Sequence, residues 1–115
     1  MARSPVRTIP KFSRLIRDDE HFASIFNALG EPTRVRIMQI LPCAAICQEM
    51  YNVVELAEEL GLTQPTVSHH LKQLRLAGLV KWRRQCNSVY FYVNQPVVRA
   101  WLEEARRSFG CEARS

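Results

Sequence analysis

Apolar residues recur at helical spacing from about residue 20 onwards. The first run has four residues at positions i, i+3, i+4 and i+7, and therefore on one helix face: Phe22, Ile25, Phe26 and Leu29. Three acidic residues precede this run and Gly30 follows it, as expected where a helix starts and stops. A second helix is predicted from Pro32, because proline is tolerated in a first helical turn. The next stretch, residues 43–51, fits either a helical turn or a packed loop.

Two further short helices are predicted on either side of a tight turn. Asn52 fits the N-cap of the first of these helices and Gly61 fits its C-cap. Thr63 fits the N-cap of the second, and Gly78 fits its end. Apolar residues and His70 recur at helical spacing in the second helix, so we expect them to form its buried side.

The last part of the chain predicts a β-hairpin and a closing helix. The runs LVKWRR and SVYFYV are β-branched and aromatic, and Asn87 between them suits a left-handed turn. The helix starts near Pro96 and stops at Gly110. Its apolar stripe comprises Val97, Val98, Trp101, Leu102, Ala105 and Phe109. The predicted fold is mostly α with a small β-hairpin wing, in the order α-α-α-α-β-β-α.

The outward side of the helix after Thr63 is polar and basic and carries no acid. Such side chains can donate to phosphates and to base edges in the major groove, and the hairpin adds three cations. Two helices joined by a tight turn and followed by a hairpin predict a winged helix-turn-helix. The alternative is a helix face that is only exposed to solvent. It would not explain why a tight turn precedes this helix and a basic hairpin follows it. The predicted DNA-contacting residues are Gln64, Thr66, Ser68, His69, Lys72, Gln73, Lys81, Arg83 and Arg84.

Length and charge fit this prediction. The 115 residues suffice for one small domain, and the net charge of +5 favours an anionic partner, nucleic acid first. We divide the chain into a basic arm at 1–17, the domain at 18–109 and a tail at 110–115. Neither a membrane-spanning run nor a signal peptide is recognisable, so we expect a cytoplasmic location, no membrane partner and cysteines that remain thiols.

Two stretches carry a resemblance to a known family. ALGEPTRVRIMQIL at 28–41 and ELAEELGLTQPTVSHHLKQLRLAGLVKWRR at 55–84 resemble the ArsR/SmtB family of bacterial winged-helix transcriptional repressors. The resemblance covers roughly residues 20–105. It implies a homodimer that binds double-stranded DNA at a palindromic operator and releases it when an inducer binds. In such a dimer the two reading helices lie about one DNA turn, roughly 34 Å, apart.

The resemblance also implies that the first and last helices form the dimer interface. The apolar stripes of these two helices are consistent with this interface, because they leave more apolar surface than so small a domain can cover alone. A role for these stripes in the core of one subunit is the alternative. The predicted interface residues are Phe22, Ile25, Phe26, Leu29, Val98, Trp101, Leu102 and Ala105.

Two inducer sites of the family have no counterpart in this sequence. In NVVEL, Asn52 and Val54 stand where the family's soft-metal box has its cysteines. The last helix, residues 96–109, has neither the histidine nor the aspartate of the family's zinc site. These departures argue against assigning the family's best-known ligands to this chain.

Cysteines are the remaining candidates for sensing. Cys43, Cys47 and Cys111 could supply three thiolates to a thiophilic ion such as As(III). A reversible disulfide or polysulfide bridge from Cys43 or Cys47 to Cys111 is a second reading, since some family members sense reactive sulfur in this way. The third is that these cysteines only pack. Cys86 at the hairpin tip is the weakest candidate ligand.

The sequence does not favour an enzyme. It has no glycine-rich phosphate loop, no paired carboxylates in a polar run and no Ser/His/Asp arrangement beyond chance. We therefore expect a homodimeric repressor released by an inducer that cysteines sense. The alternatives are a winged helix that binds protein and a regulator without a cysteine-based inducer.

Overall fold

The computed structural model describes residues 14–46 and 49–110. Five helices and one antiparallel hairpin follow in the predicted order: α1 (Asp19–Ala28), α2 (Pro32–Ile40), α3 (Val53–Leu60), α4 (Gln64–Leu76), β1 (Val80–Gln85), β2 (Ser88–Val93) and α5 (Gln95–Ser108). No helix within these residues is long and apolar enough to cross a bilayer. Most of the predicted arm, Cys47 and the tail from Cys111 lie outside the described residues.

One hydrophobic core joins all the elements. Its fully buried side chains are Ile16, Ile25, Ile37, Leu56, Val67, Leu74 and Leu79. Ile16 falls within the range predicted as an arm, yet it is packed in the core. The core is needed for stability, because each of these short helices is marginal alone and is held by packing of its apolar face.

His21 ties the first helix to the end of the fourth. Its Nδ1 accepts a hydrogen bond from the backbone N–H of Arg17 at 3.2 Å. The proton must then reside on Nε2, which donates to the carbonyl of Ala77 at 3.1 Å. The histidine is buried with both ring nitrogens satisfied, so it fixes the C-terminal end of α4 against α1.

The hairpin turns tightly and is held at its base by the loop before α3. Cys86 and Asn87 both have positive φ angles, of 47° and 66°, which is the geometry of a two-residue turn that follows strand twist. The backbone N–H of Phe91 donates to the carbonyl of Tyr51 at 2.8 Å, and that of Val93 donates to Pro42 at 2.8 Å. Where residues 43–51 are described, they form turns and this bridge rather than a helix.

Candidate nucleic-acid interface

The α3–α4 pair places one side of α4 outward. Gly61 adopts a left-handed conformation with φ of 68°, which ends α3, and the N–H of Leu62 donates to Ala57 at 3.0 Å. Thr63 then caps α4, as predicted. Val67 and Leu71 are buried, so the opposite side of α4 is presented to solvent. The tight turn therefore sets both the position and the rotation of α4.

The residues predicted to read DNA are accessible. On α4, Gln64, Thr66, Ser68, His69 and Lys72 are exposed, whereas Gln73 is half-buried. No acidic residue occurs on this helix. The outer side of α4 thus presents hydrogen-bonding groups and the cation of Lys72, which is the chemistry that direct readout in a major groove requires.

His70 has a structural role, consistent with its predicted inward position. It is half-buried, and its Nδ1 accepts a hydrogen bond from Nε of Arg34 at 3.2 Å. The same guanidinium donates through Nη1 to the carbonyl of Ala28 at 3.2 Å. Arg34 therefore links α1, α2 and α4, while the neighbouring His69 remains exposed.

The hairpin divides its three cations between two faces. Side chains alternate along a strand, so Arg84 shares a face with Trp82 whereas Lys81 and Arg83 point to the other face. The register agrees: Lys81 pairs with Tyr92 and Arg83 with Tyr90, but Arg84 pairs with Val89. All three cations are exposed. Only Arg84 lies beside α4, so the predicted cations do not form a single patch.

A groove of about 290 Å³ separates α4 from the hairpin. We call it the wing groove, and its lining residues are Val53, Ser68, Leu71, Lys72, Arg75, Trp82, Arg84, Val89 and Phe91. The lining contains three cations and no acid. Sequence reasoning missed Arg75, although its spacing of three from Lys72 and seven from Ser68 placed it on the same helix side.

A second and larger hollow has the opposite charge. It measures about 680 Å³, and we call it the glutamate hollow. Its lining residues are Ile40, Pro42, Glu49, Met50, Tyr51, Glu55, Glu58 and Glu59. Three of the four glutamates belong to α3. The α3–α4 pair therefore borders one acidic hollow and one basic groove.

The aromatic stripes of α1 and α5 meet one another. The ring centroids of Phe26 and Trp101 lie 4.9 Å apart, and those of Phe22 and Phe109 lie 5.9 Å apart. Phe26 is 40% exposed, Leu102 54% and Phe109 60%, so an apolar edge remains uncovered in one subunit.

The predicted interface residues differ in how far they are buried within one subunit. Ile25 is fully buried and Phe22 only 8% exposed, so neither has much surface to offer a partner, and we assign both to the core of one subunit. Four of the remaining predicted residues are partly buried against that core: Leu29, Val98, Trp101 and Ala105. Phe109 belongs to the exposed edge although it was not among the predicted interface residues.

The structure describes two of the four cysteines, Cys43 and Cys86. Cys43 and Cys86 are exposed thiols outside any disulfide. Cys43 lies in a bend before α3, and its exposure argues against a buried packing role. Cys47 and Cys111 lie outside the described residues, within which no cluster of three or more His, Cys, Asp or Glu side chains could hold a metal.

Known proteins with similar sequences are bacterial and archaeal regulators. Residues 31–81 match the family model described as bacterial regulatory protein, arsR family. An uncharacterized HTH-type transcriptional regulator of Methanocaldococcus jannaschii is 39% identical over 75 residues, which cover 64% of this chain and 79% of that protein. The arsenical resistance operon repressor of Staphylococcus xylosus is 31% identical over 75 residues, covering 65% and 67%. Other relatives are matched over as little as 51% of their length.

A solved structure shares the fold. The homodimeric winged helix-turn-helix DNA-binding domain from Mycobacterium bovis, determined in solution, has a TM-score of 0.63 and 24% identity, over 82% of this chain and 83% of that one. Its architecture confirms the winged helix-turn-helix predicted from sequence. The relatives confirm the prediction of a transcriptional regulator rather than an enzyme. The chain belongs to the arsR family of bacterial regulatory proteins.

Proposed function

We propose that this chain is a homodimeric repressor that binds operator DNA through α4 and the hairpin. The observation that carries the proposal is the acid-free outer side of α4, which continues into the cations of the wing groove. Lys72 and Arg84 are assigned to phosphates, whereas Gln64, Ser68 and His69 are assigned to base edges. Lys81 and Arg83 extend the contact on the far side of the hairpin.

DNA binding is tested by fluorescence anisotropy with DNA from upstream of the chain's own coding sequence. We expect Lys72→Ala and Arg84→Ala each to weaken binding and to lower the slope of log affinity against log salt by about 0.9, as loss of one phosphate contact does. Arg99→Ala removes an exposed arginine from α5, which does not line the wing groove, and serves as the matched control. Unchanged affinity and slope in both groove variants would place the DNA elsewhere.

Dimerisation is proposed through the apolar edge of Phe26, Leu102 and Phe109. The homodimeric state of the Mycobacterium bovis domain supports it, as does the exposure of these three side chains. We expect Leu102→Glu to give monomers in sedimentation equilibrium and to weaken operator binding, since one subunit contacts only one half-site. Leu76→Glu, at another exposed leucine outside α1 and α5, is the control and should leave the dimer intact. A dimeric Leu102→Glu variant would refute this interface.

Inducer sensing is proposed through Cys43, Cys47 and Cys111. The exposed thiol of Cys43 supports this, and one relative is named an arsenical resistance operon repressor. With As(III), three thiols would replace the three hydroxyls of arsenous acid and release three waters. Titrating the DNA complex with As(III) and separately with a persulfide donor distinguishes metalloid binding from thiol oxidation. Release that persists in the triple Cys→Ser variant would eliminate these thiols as the sensor.

A further inference from the structure

The wing groove combines charge with an apolar floor, whereas contacts to DNA phosphates do not need the apolar floor. Leu71 from α4 and Phe91 from β2 are buried at its base, and Val89 lines it. The indole of Trp82 is 48% exposed beside them. Phosphate contacts are made by cations, hydroxyls and backbone N–H groups, so a duplex backbone leaves this apolar surface without a role.

The cations surround this apolar surface from both sides. Lys72 and Arg75 come from successive turns of α4, while Arg84 comes from β1 two residues beyond Trp82. No acid lines the groove to neutralise them. An occupant that matches both features must be negatively charged at one end and apolar along its body.

We propose that the wing groove binds a small amphipathic organic anion, such as an aromatic carboxylate or sulfonate. Its acid group would pair with Arg75 and Arg84, whose guanidinium groups suit bidentate contact with a carboxylate. Its flat body would lie on the indole of Trp82 over the apolar floor. The volume of about 290 Å³ is at the lower limit for ligand pockets, which fits one or two fused rings rather than a larger molecule.

Such a ligand would act by direct competition with the operator. Ser68, Lys72 and Arg84 line the groove and also belong to the proposed DNA surface, so this consequence rests on the proposed function. Binding of the anion to the free protein does not depend on the proposed function. Neither of the two described cysteines, Cys43 and Cys86, lines the groove, so release by the anion should not depend on those two thiols.

The test uses 2-naphthoate as the probe and the full chain without DNA. We expect calorimetry to show binding that is weakened about tenfold by Arg75→Ala or Arg84→Ala, since a hydrogen bond to a charged group is worth about that much. Arg83→Ala, on the opposite face of the same strand, is the matched control and should change affinity less than about twofold. Neutral 2-naphthamide and acetate should each bind far more weakly, because 2-naphthamide lacks the negative charge and acetate lacks the apolar body.

The two tryptophans provide an internal control. In two-dimensional NMR spectra, 2-naphthoate should shift the indole N–H signal of Trp82 but leave that of Trp101 in α5 unchanged. Equal effects of Arg83→Ala and Arg84→Ala, or equal shifts of both indoles, would overturn the proposal. Promoter binding without naphthoate binding would also overturn it and leave the repressor function intact. Naphthoate binding with this pattern but without promoter binding would support the site and reject the repressor function.

Discussion

Helices α3 and α4 are neighbours in sequence and pack together, yet they differ in charge and in the way that they begin. The outer side of α3 carries Glu55, Glu58 and Glu59, which line the glutamate hollow. Helix α4 carries no acid and borders the wing groove. One helix therefore repels a polyanion and the other attracts it, although both contribute to the same core.

This difference assigns the two helices separate tasks. A basic groove and an acidic hollow on one small domain orient a polyanion before contact, because the summed field acts over a distance of about 10 Å at moderate salt. Helix α3 can then brace α4 without competing for DNA. The hairpin completes the attractive side with Arg84.

The largest effect expected from this comparison concerns the helix starts. Helix α3 has a reciprocal capping box: the Glu55 N–H donates to Asn52 Oδ1 at 2.8 Å, and the Asn52 N–H donates to Glu55 Oε1 at 2.9 Å. At the start of α4, the Thr66 N–H donates to Thr63 Oγ1 at a longer 3.4 Å. We expect Asn52→Ala to lower the free energy of unfolding by about 1 kcal/mol and Thr63→Ala by less than half of that.

Urea denaturation of the two variants and the parent chain measures this difference. Asn52→Asp is the control, because aspartate also accepts the hydrogen bond and should retain most of the stability. Equal losses for Asn52→Ala and Thr63→Ala would show that the two helix starts are held alike. The start of α3 would then be no more firmly held than the start of α4.

The sequence predicted the order of elements because each has a local signal. Asn52, Gly61 and Thr63 marked the boundaries of α3 and α4, and these boundaries are confirmed. Local patterns did not reveal which side of the hairpin faces α4. Alternation alone separates Arg83 from Arg84, but only the packing of β1 beside α4 shows that Arg84 lines the groove.

Apolar periodicity also could not separate core from interface. A helical stripe shows which side of a helix avoids water, but not whether the cover comes from the same subunit or another. In α1, Ile25 is fully buried whereas Phe26, one residue later, is 40% exposed. Phe26 contacts Trp101 of α5 and is still partly exposed, so how far it is covered depends on elements outside α1. No pattern within α1 contains this information.

The next prediction concerns the glutamate hollow and is smaller. Glu58→Gln/Glu59→Gln removes two negative charges from α3 without altering the wing groove. We expect DNA affinity to rise by about two- to threefold at about 50 mM salt, and this gain to vanish near 1 M salt, where screening acts within about 3 Å. Glu58→Asp/Glu59→Asp keeps the charges and is the control. An equal gain in both double variants, or a gain that persists at high salt, would mean that charge on α3 does not oppose DNA.

The smallest predicted effect concerns Glu31, an acid near the inner side of α4. Its carboxylate caps α2 by accepting hydrogen bonds from the N–H groups of Thr33 at 2.7 Å and Arg34 at 3.3 Å. Partial desolvation raises the pKa of Glu31, but the hydrogen bonds from the backbone N–H groups of Thr33 and Arg34 outweigh it. The net pKa lies below the ordinary 4.5. The carboxylate is thus engaged by α2 and is not directed at the DNA surface.

A lowered pKa fixes the direction of the pH dependence. The folded chain holds the proton of Glu31 less tightly than the unfolded chain, so the ionised carboxylate stabilises the fold above pH 4.5. This stabilisation is lost as the pH falls through the pKa of the folded state. Thermal melts should therefore show Glu31→Gln to be less stable than the parent at pH 7, with the difference shrinking towards about pH 3. Glu59→Gln is the control for general loss of one charge. A difference that is constant with pH would mean that the carboxylate charge does not hold the start of α2, and Glu31 would then count as an unengaged acid beside the reading helix.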